Sequence, residues 1–369
     1  GATIVFIWSF TELGTPLMFD FYAVTPVQVF WGLSEVAQNP RPFALVVVML
    51  AVAVLSYVVA RLALGRQAYA MEGKAAVAAS TTVLRGWRGR AALALFLLVT
   101  ALAILPHVGV VIWSFSVQGT WYRSVLPRAW TLSHYQAALS HELTTDAIHN
   151  SLVYALAAMV LAVAMGLAIA YLVVRRRVPG RWLLDTLSML PLAVPGLVLA
   201  FGYVAMTLTW PLGKGGPLEG WLSVVGQSPN PVPLLVIAYA MRRLPYVVRS
   251  AAAGLEQTSS SLEEAALSLG ASPLYTLRRV VTPLILAHLI AGGILVFAFA
   301  MLEVSDSLVL AQKQQHFPIT KAIWELYNRL GDGPAIASAL GVWGMALLSV
   351  TLLGASVLMG KKLGAIFRV

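Results

Sequence analysis

Two carboxylates, Glu303 and Asp306, close an apolar run from Leu284 to Leu302, with Ser305 and Ser307 beside them. An ionisable group at the edge of a membrane span marks a solute route by default, so the pair suits an acidic outer gate or a passing contact for a cationic substrate. The alternative is hydration at the outer surface, which their boundary position favours. Pro191, Pro195 and Gly196 interrupt another apolar run. Proline frees carbonyls that lipid cannot satisfy, so this break either lines a water-filled translocation path or is a packing kink. His134, His141 and His149 recur near Glu142 and Asp146. Their spacing could put them on one helical face, but it is loose for a metal site and suits solvated loop residues better. His288 stands alone in a span, where a hydrogen bond within the bundle is expected.

Enzymatic chemistry has little to work with. Cys is absent, which removes thiolate nucleophiles and thiolate metal sites. Gly213-Lys214 lacks the spacing of a phosphate-cradling glycine loop. No nucleophile–base pair is evident. The chain reads as a non-enzyme with no resident metal or cofactor, and any ATP and Mg chemistry belongs to a partner.

The elements that position these residues are membrane spans. Of 369 residues, 59% are hydrophobic and 11% charged, and the mean hydropathy is +0.81. Soluble domains carry about 25% charged residues, so the chain is an all-α integral membrane protein. The formal charge of +10 does not indicate nucleic acid, because the basic residues lie between apolar runs. Spans are expected over 43–64, 91–115, 151–174, 182–208, 232–248, 284–302 and 335–359, with a partial one over 1–10. Arg242 and Arg243 interrupt the span after Pro231 and are expected at the cytoplasmic interface, with the helix continuing inward. Segments 61–90, 175–181, 242–283 and 361–369 hold 18 of the 25 Lys and Arg residues, so they face the cytoplasm.

The inward segment ends in two short helices. Ser261 can cap the first, with Glu264 three residues on, and Leu262, Ala265, Ala266 and Leu269 share a face. Gly270 ends it in a left-handed turn, and Ser272 caps a second helix with Pro273 at its first position. Glu264-Ala265-Ala266, three residues, Gly270, nine residues, Val280 and Pro283 then resemble the E-A-A-x3-G-x9-I-x-L-P loop of the permeases of binding-protein-dependent ABC importers. Val280 replaces Ile, and Thr282 stands where Leu is usual. The resemblance extends over Thr131–Tyr135, Asn150-Ser151, Arg175–Asp185, Pro191–Gly196 and Leu244–Ser250. It implies that the loop over 253–283, with Glu263, Glu264, Ala265, Ala266, Gly270, Val280 and Pro283, docks on a cytoplasmic ATPase.

Residues from Ala91 onward form one complete six-span unit. Phe10–Met18 parallels Met301–Val309, with Glu12 the mate of Glu303, and Pro26, Trp31, Leu33 and Pro42 parallel Pro318, Trp324, Leu326 and Pro334. A repeat at this offset is a repeated domain. Residues 1–64 are therefore expected to be the last two spans of a preceding homologous unit whose start is missing, and 65–90 a cytoplasmic linker. The resemblance implies two ATPase subunits inside, a solute-binding protein outside, and a place in the bacterial cytoplasmic membrane. It extends to fused double permeases of the ferric iron, thiamine and phosphonate group, with overall similarity favouring ferric iron. A gradient-driven secondary transporter would share the repeats and broken helices but needs no docking loop.

Overall fold

The computed structural model describes residues 2–36, 38–63, 86–121, 124–176, 178–224, 229–329 and 331–366. The expected linker over 65–90 falls largely outside them. Its last residues, from Gly86, already belong to the first long helix, so that helix begins earlier than the sequence suggests.

The described residues are helical throughout, apart from isolated bridges in loops. The helices are α1 (Ala2–Phe10), α2 (Gly14–Met18), α3 (Thr25–Trp31), α4 (Arg41–Ala63), α5 (Gly86–Phe115), α6 (Ser133–Ser140), α7 (Glu142–Val174), α8 (Arg181–Ala193) and α9 (Gly196–Leu208). Then follow α10 (Val232–Gln257), α11 (Ser261–Ser268), α12 (Pro273–Thr276), α13 (Thr282–Leu284), α14 (Leu286–Met301), α15 (Ser305–Leu310), α16 (Ile319–Tyr327) and α17 (Gly333–Ile366). Among them α5, α7 and Gly333–Gly354 of α17 are long and apolar enough to cross a membrane unaided. Two bent pairs, α8 with α9 and Pro273–Leu284 with α14, raise the number to as many as five. α10 has the length of a span but too many basic residues to qualify on composition alone.

The core is built on small residues. Ala147, Ala155, Ala158, Ala162, Gly166 and Ala170 are buried along one face of α7. Without water's hydrophobic drive, helices in lipid associate by close backbone approach, and small residues permit it. A Cβ on Gly166 would lie 2.6 Å from Val247 on α10. Gly292 of α14 meets the same residue from the other side, with 3.1 Å to its Cα. α5 shows the opposite character: Leu95, Phe96, Leu97 and Leu98 are all exposed, as befits a helix that faces lipid on most sides.

The broken run behaves as proline chemistry requires. α8 ends at Ala193, Val194 is extended, and Pro195 precedes α9. The two halves meet at 105°. At the outer end, Ser114 and Tyr135 share a hydrogen bond of 2.7 Å, and His134 bonds the Ser116 carbonyl at 3.0 Å, which pins α6 to α5. Asn150 donates to the carbonyls of Gln315 and Phe317, and Ser151 accepts from the Ile319 backbone N–H at 2.7 Å. These bonds tie α7 to the approach to α16.

Elements α1 to α4 repeat the succession α14 to α17: a helix, a short helix, an amphipathic helix and a long apolar helix. The two sets touch, with Phe30 of α3 edge-on to Trp324 of α16 at 5.6 Å. Phe43 of α4 packs edge-on against Phe201 of α9.

Candidate functional site

The inner loop is a tightly closed turn with an apolar tip. Two serines precede α11 and Ser261 opens it, so the capping position falls on Ser260, one residue before the Ser261 expected, and its side chain bonds no backbone N–H of the helix. Ser260 Oγ donates to Glu264 Oε1 at 2.9 Å, so the serine–glutamate link is side chain to side chain. Gly270 has φ +85. Its N–H bonds Leu267 O, and the Ala271 N–H bonds Ala266 O, both at 3.0 Å. Those two bonds satisfy carbonyls that the helix end would otherwise leave bare. Ser272 Oγ then accepts from the Tyr275 N–H at 3.3 Å, with Pro273 opening α12.

Between α12 and α13 the chain widens into a π-helical turn, Leu277–Val281. Thr282, in place of the usual Leu, donates its hydroxyl to Leu277 O at 2.7 Å. Leu277 O also accepts the Thr282 backbone N–H, so both donors of Thr282 meet one carbonyl just before Pro283.

The expected docking residues divide. Glu264, Ala265, Gly270 and Pro283 are exposed, as are their neighbours Leu262 and Leu269, the latter 89% accessible at the tip. Ala266 and Val280 are half-buried. Glu263 departs from expectation: it is buried and faces the bundle, with Oε1 2.8 Å from Arg175 Nε. It cannot present itself to a second protein. Exposed Leu274 and Tyr275 extend the apolar face into α12.

The edge carboxylates also depart from their expected place. Glu303 is 3% exposed and Asp306 1%. Arg242 Nη1 lies 2.6 Å from Glu303 Oε1 and 3.4 Å from Asp306 Oδ2, and Arg243 Nη2 lies 2.6 Å from Glu303 Oε2. Hydration of the carboxylates at the outer surface is therefore overturned, and the arginines turn to partners within the bundle. Glu303 follows α14 and Asp306 lies in the first turn of α15, and both meet the arginines of α10 inside the bundle. Arginine's planar fork lets one guanidinium address two carboxylates. Thr320 donates to the Glu303 carbonyl at 2.7 Å, and Tyr239 and Ser307 share a bond of 2.6 Å beneath. Ser305 opens α15, half-buried.

The break in the earlier run joins this cluster. Pro195 and Gly196 are buried and Pro191 half-buried. A Cβ on Gly196 would fall 1.9 Å from Arg242 Nη1. Glycine there makes room for the guanidinium at the start of α9. Glu12 bonds the Gly14 N–H at 3.0 Å and adds to the electrostatic field at Arg242.

The remaining candidates are structural. His134 lies on α6, while His141 caps α7, accepting from the Leu143 N–H at 3.2 Å. They are on separate elements, so the three histidines share no helical face, and His134 is buried instead of solvated as expected. Among the described residues no group of three metal-ligating side chains occurs. The His288 carbonyl accepts from Ser250 at 2.6 Å. Asp185 lies 3.7 Å from Arg249. The sequence reading missed Arg175 and the partnership of Arg242 and Arg243 with Glu303. Its available signal was sign: two cations inside an apolar span call for two anions in another.

A multi-pass helical bundle with an exposed capped loop on one side and a broken span at its centre defines a membrane permease. The family described as "Binding-protein-dependent transport system inner membrane component" matches residues 159–357. The chain belongs to that family, the permeases of ABC importers. It is 31% identical over 241 residues to the ferric transport system permease protein FbpB of Actinobacillus pleuropneumoniae, covering 63% of this chain and 32% of that one. It is 32% identical over 221 residues to a probable molybdenum ABC transporter permease of Haloferax volcanii, covering 59% and 77%. A putative 2-aminoethylphosphonate permease of Salmonella paratyphi A is 27% identical over 251 residues, covering 68% and 85%. The chain thus spans about a third of the ferric relative's length. A bacterial ABC transporter that imports alginate shares the fold, with a TM-score of 0.54 at 17% identity over 73% of this chain and 95% of that one.

Proposed function

We propose that this chain forms the solute path of an ATP-driven importer in the bacterial cytoplasmic membrane and hydrolyses nothing itself. The observation that carries the reading is the inner loop: an exposed apolar tip on a turn closed by Gly270 and capped at Ser272. One of two ATPase subunits, which hold ATP and Mg, docks there through Glu264, Ala265, Gly270, Leu269 and Tyr275, and the other docks on the matching loop of the preceding unit. A solute-binding protein delivers cargo outside. The path runs past Pro195, Gly196, Glu303 and Asp306, where a broken span meets the buried charges.

Residues 1–63 are the closing spans of a preceding unit in the same protein. The matching succession of α1–α4 and α14–α17 supports this, as does the length of the ferric relatives. The cargo is a small solute, with thiamine among the alternatives. Ferric iron is the first candidate, on the likeness to the ferric permeases, with phosphonate and oxyanions such as molybdate next.

Docking is tested by replacing Leu269 or Glu264 and measuring ATPase co-purification. Leu269→Asp should lower recovery of the ATPase at least tenfold while membrane insertion is kept. Unchanged recovery with both variants would sink the reading.

A further inference from the structure

The guanidinium of Arg175 sits where three helix ends converge. Arg175 itself ends α7, its N–H bonding Tyr171 O at 2.9 Å. Its Nη2 donates to Leu255 O at 2.8 Å, Thr258 O at 2.7 Å and Thr258 Oγ1 at 3.0 Å, at the last turn of α10. Its Nε faces Glu263 in the first turn of α11. Both side chains are largely buried, at 15% and 10% exposure. Each contact is electrostatically favoured twice over. A cation belongs at a helix C-terminus, where carbonyls lack partners, and an anion belongs at a helix N-terminus. One planar guanidinium reaches both ends, through Nη2 hydrogen bonds at the end of α10 and a close ion pair of Nε with Glu263, which an ammonium on a flexible stem does not.

We infer that Arg175 is the positioning residue that makes the docking loop and the core of the bundle move as one body. The inference rests on the proposed docking at α11. Without the bolt, α11 joins α10 only through Thr258–Ser260, a short link free to swivel. With it, a push on α11 is delivered to α7 and α10 together. α10 carries that push over about 18 Å of helix, at 1.5 Å per residue, from Leu255 to Arg243. The charge cluster at Gly196 lies at that far end. The tip of the loop, which touches the ATPase, takes no part in the bolt. Docking and transmission are therefore separable.

The absence of cysteine in this chain allows site-directed labels. Nitroxides at Met206→Cys on α9 and Leu302→Cys beside Glu303, both exposed positions, report on the cluster in the full protein with its ATPase in lipid vesicles. Trapping the ATPase with ATP and vanadate should shift this spin–spin distance in the otherwise unaltered protein. In Arg175→Met the same amount of ATPase should bind, yet the shifted population should fall at least fivefold. Arg175→Lys should fall between. Glu263→Gln keeps the bonds to Leu255 and Thr258, so it preserves the fold while cutting only the link to α11, and it should reproduce the loss. A full shift in both Arg175→Met and Glu263→Gln would overturn the inference. Failure of the unaltered protein to bind the ATPase would instead overturn the docking reading.

Discussion

Glu303 holds two arginines at once, and that sets the ranking of substitutions around it. Removing one partner of a buried pair leaves a charge without compensation and costs about 3–5 kcal/mol. Glu303→Gln strands Arg243 and leaves Arg242 only the 3.4 Å approach to Asp306, so it should lower the unfolding temperature in detergent more than Asp306→Asn, which removes only that approach. Arg242→Met combined with Glu303→Gln should cost less than the two singles added, because neighbours in one network are not additive. Gly196→Ala is the sharpest test of fit, since its methyl would need the space the guanidinium fills. It should displace Arg242 and lower stability by roughly the 1–3 kcal/mol of an overpacked core. The chemistry of these residues was visible in sequence, but their pairing was not. Arg242 and Glu303 are 61 positions apart, and hydropathy assigns a charge to the nearest membrane face instead of to a partner. The packing of α14 against α10 brings them together.

Among the elements, the docking loop was the most legible. Glycine at a left-handed turn, serine before proline and a pattern of small and acidic residues each have a local physical cause, and Gly270, Ser272 and Pro273 stand where those causes place them. The first cap shifted by one residue because Ser259, Ser260 and Ser261 can all serve, and local propensity does not choose among them. The π-turn had no local signature beyond Thr282-Pro283. Because Gly270 has open space around it, conformation alone limits what can replace it. Asn tolerates positive φ, whereas a β-branched residue pays about 1–2 kcal/mol or more. Gly270→Asn should keep ATPase co-purification near its original level, and Gly270→Val should reduce it severalfold.

For the whole molecule, the arrangement of charge predicts which side each loop faces. A cysteine placed at Leu269 should react with an impermeant maleimide only in inside-out vesicles, and one at Trp210 only in right-side-out vesicles. Both positions are exposed. The opposite pattern would invert the orientation on which ATPase access depends. The close approach of α7 to α10 gives a second test at this scale: Gly166→Leu would wedge the helices apart at Val247, and the protein should lose its monodisperse elution in detergent. The bundle was readable from its apolar runs, except that α10 failed the simple test of composition. Its arginines are tolerated because other helices neutralise them, which no reading of one span can reveal.

The bare leucine at the summit of the inner turn carries a cost for the cell. A copy of this protein made without its ATPase would hold a greasy knob out into the cytosol, the kind of feature that chaperones and degradative enzymes seize. Its steady-state level should therefore follow that of its ATPase, with unescorted copies cleared before they accumulate.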